Sequence, residues 1–289
     1  MKKHLFRLLL LPCLIAALPA LGQHDAPARP DSVQTEIEIE ALTARLEAAY
    51  RQLFPNDTSD YSPRNCTDPE KFHSPLLDDF LEEWHRRYAP TEAADRQRSD
   101  TLATVYDLFA EFNRPDMQIS VWYDRQWQTI GRYRYVTIPE KFPFAVLDDD
   151  EFERLLQTGK LHEVRYTTLA PFRPDIPYGK SLYMSYVYAC ALDRFIGNRW
   201  TPTDDRRNIP ARTDSDQRVD FLSLSLPIGG CPWGGWHYIA EPSCNHIVLN
   251  ASLDRAVVAV GTQVDGTETL YRKSDGKWTR EREISQWIQ

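Results

Sequence analysis

The sequence predicts an α+β fold, with N-terminal helices followed by a mostly antiparallel β-sheet. In residues 33–113, apolar side chains recur every three to five positions, which is the period of amphipathic helices. Residues 219–289 instead contain short β-branched and aromatic segments separated by turn residues. Helices that precede strands in this way favour an α+β arrangement. We expect residues 33–289 to form one globular domain, with a helical part at 33–113 and a β-rich part at 219–289.

Three helices are predicted in the helical part. The first covers residues 33–53, where apolar side chains lie on one face. The second begins after Ser74, a favoured N-cap residue, and Pro75 suits its first position. The third covers residues 99–113, where leucine, valine and aromatic side chains form one apolar stripe.

The middle of the chain changes from helical to strand character. Aromatic and β-branched residues predict strands at 118–124, 132–138 and 142–147. Asp148 with Glu151 three residues later is a capping-box pattern, which predicts a short helix that Gly159 ends.

A further helix is predicted at residues 185–196, where Gly197 would end it. Taken alone, residues 182–188 would also fit a strand. The polar and Pro-containing residues 198–217 predict a long exposed loop.

The last part of the chain predicts an antiparallel meander. Its expected strands are residues 219–226, 246–250, 256–262, 267–273 and 277–285. Asp265-Gly266 and Asp275-Gly276 lie between the last three of these strands. Asp-Gly pairs favour tight hairpin turns because both residues accept a positive φ.

The first 22 residues predict a signal peptide. Lys2, Lys3 and Arg7 precede an uncharged apolar run at 8–21, and cleavage is expected before Gln23. The run is shorter than the roughly 20 residues that a bilayer requires, so we expect no stable membrane anchor. Residues 23–32 would then be a flexible leader, and the mature protein would be periplasmic or secreted.

The charge of the mature chain limits its partners. Cleavage removes three of 34 basic residues and none of 42 acidic residues, which leaves a net charge of −11. Binding to nucleic acid depends on neutralising phosphates, so we expect no nucleic-acid partner. An inhibitor or immunity-type protein for a basic partner would suit this charge.

The four cysteines of the mature chain fit an oxidising compartment. Cys231 and Cys244 flank a loop rich in Gly, Pro and Trp, and a disulfide between them would stabilise the fold by about 3 kcal/mol. By elimination, a second disulfide would join Cys66 and Cys190. The apolar neighbours of Cys190 favour a buried free thiol almost equally.

Several segments carry a resemblance to known proteins: Tyr135-Val136-Thr137-Ile138, Phe172-Arg173-Pro174, Leu182-Tyr183-Met184, residues 191–197, and Asp275-Gly276-Lys277-Trp278 with Trp287. Together they resemble uncharacterised exported bacterial proteins. The terminal hairpins are similar to the last strands of the nuclear-transport-factor-two superfamily, whose cone-shaped α+β folds contain a bent sheet. This resemblance implies a bent sheet here. It implies no catalytic residue, because that superfamily includes both enzymes and non-enzymatic binding proteins.

Motifs for metal and cofactor chemistry are incomplete in this sequence. The segment from His162 to Tyr166 begins like a zinc-protease helix but has tyrosine in place of the second histidine. A zinc site could also use Cys231, His237, Cys244 and His246. Their spacing matches no standard zinc knuckle, and export favours a disulfide instead. We therefore expect no metal and no cofactor, since nucleotide-binding glycine patterns and EF-hand loops are missing too.

Hydrolytic chemistry has no assignable residues. No Gly-x-Ser-x-Gly motif occurs. Acidic candidates for a glycosidase pair are Asp78, Asp79, Glu82, Glu83, Asp148, Asp149, Asp150, Glu151, Asp204 and Asp205. We assign the first four to the solvent-exposed face of the second helix and the group around Asp148 to helix capping.

The remaining candidate site is the loop that contains Trp233, Trp236 and His237. Rigid indole rings on a stiff loop are typical of recognition sites. The alternative is that both rings fold inward and cover the sheet.

The sequence therefore favours an exported, non-enzymatic protein that binds an unknown protein or small ligand. The alternative function is an exported hydrolase acting on glycan or cell-wall material, which would need a histidine or several acids converging with perturbed pKa values.

Overall fold

The computed structural model describes residues 33–55, 74–113, 134–177, 179–197, 214–223, 225–226, 228–230, 236–238, 243–261 and 265–288. It has the α+β architecture that the sequence predicts, with helices first and a mostly antiparallel sheet later. The expected strand at 118–124 and most of the expected loop at 198–217 lie outside the described residues.

Four helices form the N-terminal part: α1 (Val33–Leu53), α2 (Pro75–Arg87), α3 (Glu92–Arg98) and α4 (Asp100–Phe112). The predicted cap of α2 is confirmed, since the hydroxyl of Ser74 accepts a hydrogen bond from the amide of Leu77. Ser99 does the same for Leu102 at the start of α4. Helix α3 could not be predicted from the sequence, because this seven-residue helix buries only Asp95 and so has no apolar period.

The main sheet has six strands: β2 (Phe142–Leu147), β3 (Thr167–Leu169), β7 (Ser243–Asn250), β8 (Arg255–Gly261), β9 (Asp265–Ser274) and β10 (Lys277–Ile288). Their order is β10-β9-β8-β7-β2-β3. Neighbouring strands are antiparallel except β2 and β7, which run parallel. The predicted C-terminal meander is therefore confirmed for β7 to β10.

Smaller elements connect the helices to the main sheet. Strands β1 (Tyr135–Pro139) and β4 (Lys180–Met184) form a parallel pair, and β5 (Ile228–Gly230) and β6 (Trp236–Tyr238) form an antiparallel pair. The remaining helices are α5 (Asp149–Thr158), α6 (Tyr186–Ile196) and α7 (Ser215–Ser223). Asp148 caps α5 as predicted, and Gly159 and Gly197 end α5 and α6 in the left-handed conformation.

The prediction of a strand at residues 219–226 was wrong, because residues 219–223 belong to α7. The expected loop was also wrong at its end, since residues 215–217 form the first turn of α7 and Ser215 is buried. Leu222, Leu224 and Leu226 alternate with serines, and this local period of two suggested a strand. In the fold, α7 is buried on several sides, including at Arg218 and Asp220. A short helix that is buried on several sides does not have the one-sided apolar pattern from which a helix is predicted.

The two Asp-Gly pairs differ in role. Asp275-Gly276 forms the turn between β9 and β10, with φ of 51° and 76°. The other predicted turn was misplaced, since Asp265 and Gly266 are the first two residues of β9. Gly266 pairs with Trp287 of β10, and a Cβ at position 266 would overlap the indole. Glycine is needed there because the indole lies directly against the backbone.

Each face of the main sheet packs against a helix. On one face, Ile247 and Val258 belong to the same apolar cluster as Val105 and Phe109 of α4. On the opposite face, Val248, Val257 and Leu270 pack with residues of α5. We call this second side the α5 face. A separate helical core joins α1, α2, α6 and α7, and its Trp84 and Tyr188 rings stack at 4.1 Å.

Arg218 is buried inside the helical core, with only 1% of its side chain exposed. Its guanidinium donates hydrogen bonds to both carboxylate oxygens of Glu47 at 2.7 and 3.0 Å, and to Asp214 at 2.6 Å. It also lies over the rings of Tyr50 and Phe195, 4.5 and 4.6 Å from their centroids. This residue therefore links α1, α6 and α7 by both charge and packing.

None of the described helices combines the length and the apolar character that crossing a bilayer requires. The expected signal segment at 1–22 and the leader at 23–32 lie outside the described residues.

Candidate functional site

The structure places Trp236 inside the protein. Its side chain is 4% exposed within the helical core, and its indole Nε1 donates a hydrogen bond to Asp193 Oδ1 at 2.9 Å. This is the inward orientation that the sequence left open as an alternative, so Trp236 offers no exposed ring for recognition. Trp233 lies outside the described residues, and for His237 only the backbone pairing with Gly229 is described.

The predicted disulfides each involve a cysteine outside the described residues. Cys244 is buried, and burial raises the pKa of its thiol. Its expected partner is Cys231, and the expected partner of the buried Cys190 is Cys66. Because neither Cys231 nor Cys66 is described, both bridges stay predictions.

The other chemical candidates of the sequence do not converge. His162 and Glu163 lie in a short 3₁₀ turn at Leu161–Glu163 rather than on a metal-binding helix. In the part of the chain that the structure describes, no three His, Cys, Asp or Glu side chains are grouped so that they could hold a metal ion. Asp204 and Asp205 lie outside that part.

Glu82 was wrongly assigned to the solvent-exposed face of α2. Asp79 and Glu83 are exposed as expected, but Glu82 is partly buried against β1 and β4. Its carboxylate contacts Lys180 and Arg134 and accepts a 2.8 Å hydrogen bond from the hydroxyl of Tyr135. The hydrogen bond from Lys180 is the largest cause that lowers the pKa of Glu82, to about 2. We interpret the role of this carboxylate as structural, because its contacts hold α2 against the β1–β4 pair.

A row of polar side chains crosses the α5 face of the main sheet. Four residues lie opposite one another on neighbouring strands, in the order His246 (β7), Ala259 (β8), Glu268 (β9) and Ser285 (β10). His246, Ala259 and Glu268 each lie two positions from an apolar residue of the α5 face, and alternate residues of a strand share a face. We call His246, Glu268 and Ser285 the polar row.

Hydrogen bonds join the members of the polar row. The carboxylate of Glu268 lies 3.3 Å from Nε2 of His246 through Oε1, and it accepts a 2.6 Å hydrogen bond from Ser285 through Oε2. The side chains of His246 and Glu268 are 13% and 18% exposed, so both are held in place and still reach solvent. Ala259 between them ends at Cβ, which leaves room for the imidazole and the carboxylate to meet.

Aromatic rings flank the polar row on two sides. The ring of Tyr166 lies 4.9 Å from the ring of His246, tilted by 57°, and Tyr166 remains 37% exposed. Trp287 lies two residues beyond Ser285 on β10, and its indole lies over Gly266 on the α5 face. From the sequence, His246 was a candidate only as a zinc ligand, and no pattern pointed to Glu268 or Ser285.

The electrostatics of the row favour an ionised carboxylate. The hydrogen bond with His246 is the largest cause that lowers the pKa of Glu268; burial opposes it, and Ser285 and His162 lower it further. Burial and the charge of Glu268 raise the pKa of Tyr166, which therefore stays a neutral phenol.

This arrangement differs from that of a nucleophilic catalyst. In a catalytic triad, the serine hydroxyl is hydrogen-bonded to the histidine that removes its proton. Here the hydroxyl of Ser285 donates to Glu268, and His246 contacts the other oxygen of the same carboxylate. The geometry therefore presents a fixed anion with aromatic neighbours, which suits recognition of a ligand.

Comparison of the chain with protein-family models, with curated proteins and with solved structures finds no match.

Proposed function

We propose that this chain is an exported, non-enzymatic protein that binds a small ligand or a partner, and that the polar row is its binding site. The observation that supports this proposal best is the placement of Glu268. Its carboxylate is held by His246 and Ser285 and remains partly exposed, and the ring of Tyr166 lies beside His246. Such pre-organised polar groups beside apolar surface are characteristic of ligand sites.

The alternative function, hydrolysis of glycan or cell-wall material, has weaker support. A glycosidase needs a carboxylic acid whose pKa is raised, so that it can donate a proton to the leaving group. Six described carboxyl groups have lowered pKa values: Glu36, Glu82, Asp149, Glu163, Glu268 and Glu281. These groups are stabilised as anions, which favours binding over general acid catalysis.

The binding site can be tested by screening small cationic, neutral and anionic compounds against the mature protein. NMR spectra with labelled histidine and tyrosine rings would follow His246 and Tyr166. We expect at least one class of compound to shift both signals, and Glu268→Gln to weaken its binding about tenfold through the lost charge-assisted hydrogen bond.

Glu163→Gln is the matched control, since Glu163 is an exposed carboxylate paired with Lys160 in the neighbouring turn. It should change the affinity by less than about twofold. Compounds that shift other surface signals but never His246 and Tyr166 would exclude the polar row as the site. Turnover of any compound would argue for the hydrolase.

Export is the second part of the proposal and rests on the basic and apolar pattern of residues 1–22. We expect the intact mass of protein from its native host to correspond to a chain that begins at Gln23. Alkylation before and after reduction should show that Cys231 and Cys244 are bridged. A chain that begins at Met1 with every thiol free would refute both the export and the bridge.

A further inference from the structure

We infer that the polar row binds an organic cation, namely a primary ammonium or a guanidinium group. This inference rests on the proposed function and specifies the ligand class of the same site.

The first reason is the unused hydrogen-bonding capacity of Glu268. A carboxylate offers about four acceptor positions. Among the described residues, the side chains that bond to Glu268 are His246 and Ser285. The open positions of a partly exposed carboxylate are filled best by a charged N–H donor, because charge-assisted hydrogen bonds are about twice as strong as neutral ones.

The second reason is the aromatic surface beside this carboxylate. Cations are attracted to the faces of aromatic rings, with tryptophan the strongest partner. Tyr166 is partly exposed next to His246, and the indole of Trp287 lies on the same sheet face beyond Ser285. Gly266 makes this position of Trp287 possible, since any larger residue would displace the indole. The site thus combines one anion with two electron-rich rings.

The third reason is that anionic and neutral ligands fit the negative charge of Glu268 less well than a cation does. An anion would meet the ionised Glu268 in a partly buried setting, where repulsion is stronger than in water. A neutral ligand would offer the ionised Glu268 only uncharged donors, whose hydrogen bonds are about half as strong as charge-assisted ones. The net charge of −11 expected for the mature chain would also attract cations towards its surface.

The test uses benzamidine as the cation and benzamide as its neutral counterpart of nearly the same shape. Both are titrated by calorimetry and NMR in the same buffer. We expect benzamidine to bind and to shift the signals of His246 and Tyr166, and benzamide to bind at least about tenfold more weakly.

Two variants test the named contacts. Glu268→Gln should weaken benzamidine binding about tenfold, and Glu163→Gln should leave it unchanged within about twofold. Trp287→Ala should weaken it about threefold through the lost aromatic face. Circular dichroism melting of each variant would confirm that it is folded. Because Trp287 is only partly buried, its variant remains informative if Glu268→Gln is unstable.

A second titration identifies the source of the cation. A short peptide with one central arginine that binds more tightly than benzamidine would indicate a protein partner; tighter binding of benzamidine would indicate a small molecule.

Equal binding of benzamide and benzamidine, or full binding by Glu268→Gln, would overturn the inference. If neutral or anionic compounds shift His246 and Tyr166 and cations do not, only the ligand class fails. If no compound shifts them, the proposed site fails as well.

Discussion

Replacing Trp236 with alanine is expected to lower the free energy of unfolding by about 3–5 kcal/mol, because a buried aromatic ring is lost and a cavity remains. Trp236 is 4% exposed within the helical core and is hydrogen-bonded to the buried Asp193 of α6. For a protein of this size, the melting temperature should fall by roughly 6–20 °C. Thermal and urea unfolding measure the effect.

Trp236→Phe is the matched variant, since it keeps an aromatic ring but removes the indole N–H. It should cost about 1–3 kcal/mol, because the buried Asp193 would lose a hydrogen-bond donor. If Trp236→Ala melts within a few degrees of the wild type, the ring does not belong to the core. The loop that contains Trp233 and Trp236 would then again be a candidate recognition surface.

Replacing Arg218 with alanine should also cost about 3–5 kcal/mol, the range for breaking a buried ion pair. The substitution removes the hydrogen bonds to Glu47 and Asp214 and leaves these carboxylates without their buried cation. It also removes the group that packs over the rings of Tyr50 and Phe195. Urea unfolding at neutral pH measures the change.

Arg45→Ala is the matched control for this charge deletion, because Arg45 also belongs to an ion pair of α1, with Glu83. Both side chains of that pair are exposed. Exposed pairs contribute at most about 1 kcal/mol, so this variant should remain close to the wild type. A similar loss in both variants would mean that net charge, and not the buried network around Arg218, determines the stability.

The helices could be predicted from the sequence because their signals are local. Ser74, Ser99, Asp148, Gly159 and Gly197 each cap a helix through groups within one turn of their own position. Two predictions failed because the local pattern was ambiguous. Helix α3 has no apolar stripe. The alternating leucines after Val219 resemble a strand, although residues 219–223 belong to α7.

The polar row could not be predicted, because β-bulges change which face each side chain occupies. Strict alternation would place Cys244 and His246 on the same face of β7, but the register shifts between them. Cys244 consequently packs in the α4 cluster, whereas His246 joins the α5 face. A second shift, between Glu283 and Ser285, affects β10 in the same way.

The sequence by itself determined the fold class, most helix boundaries and the C-terminal meander, because caps, turns and hydrophobic periods act over a few residues. The tertiary structure alone decided that Trp236 is enclosed, that Arg218 is a buried ion-pair centre, and that His246 meets Glu268 and Ser285. These contacts depend on strand register and on packing between segments far apart in the chain, which no local pattern encodes.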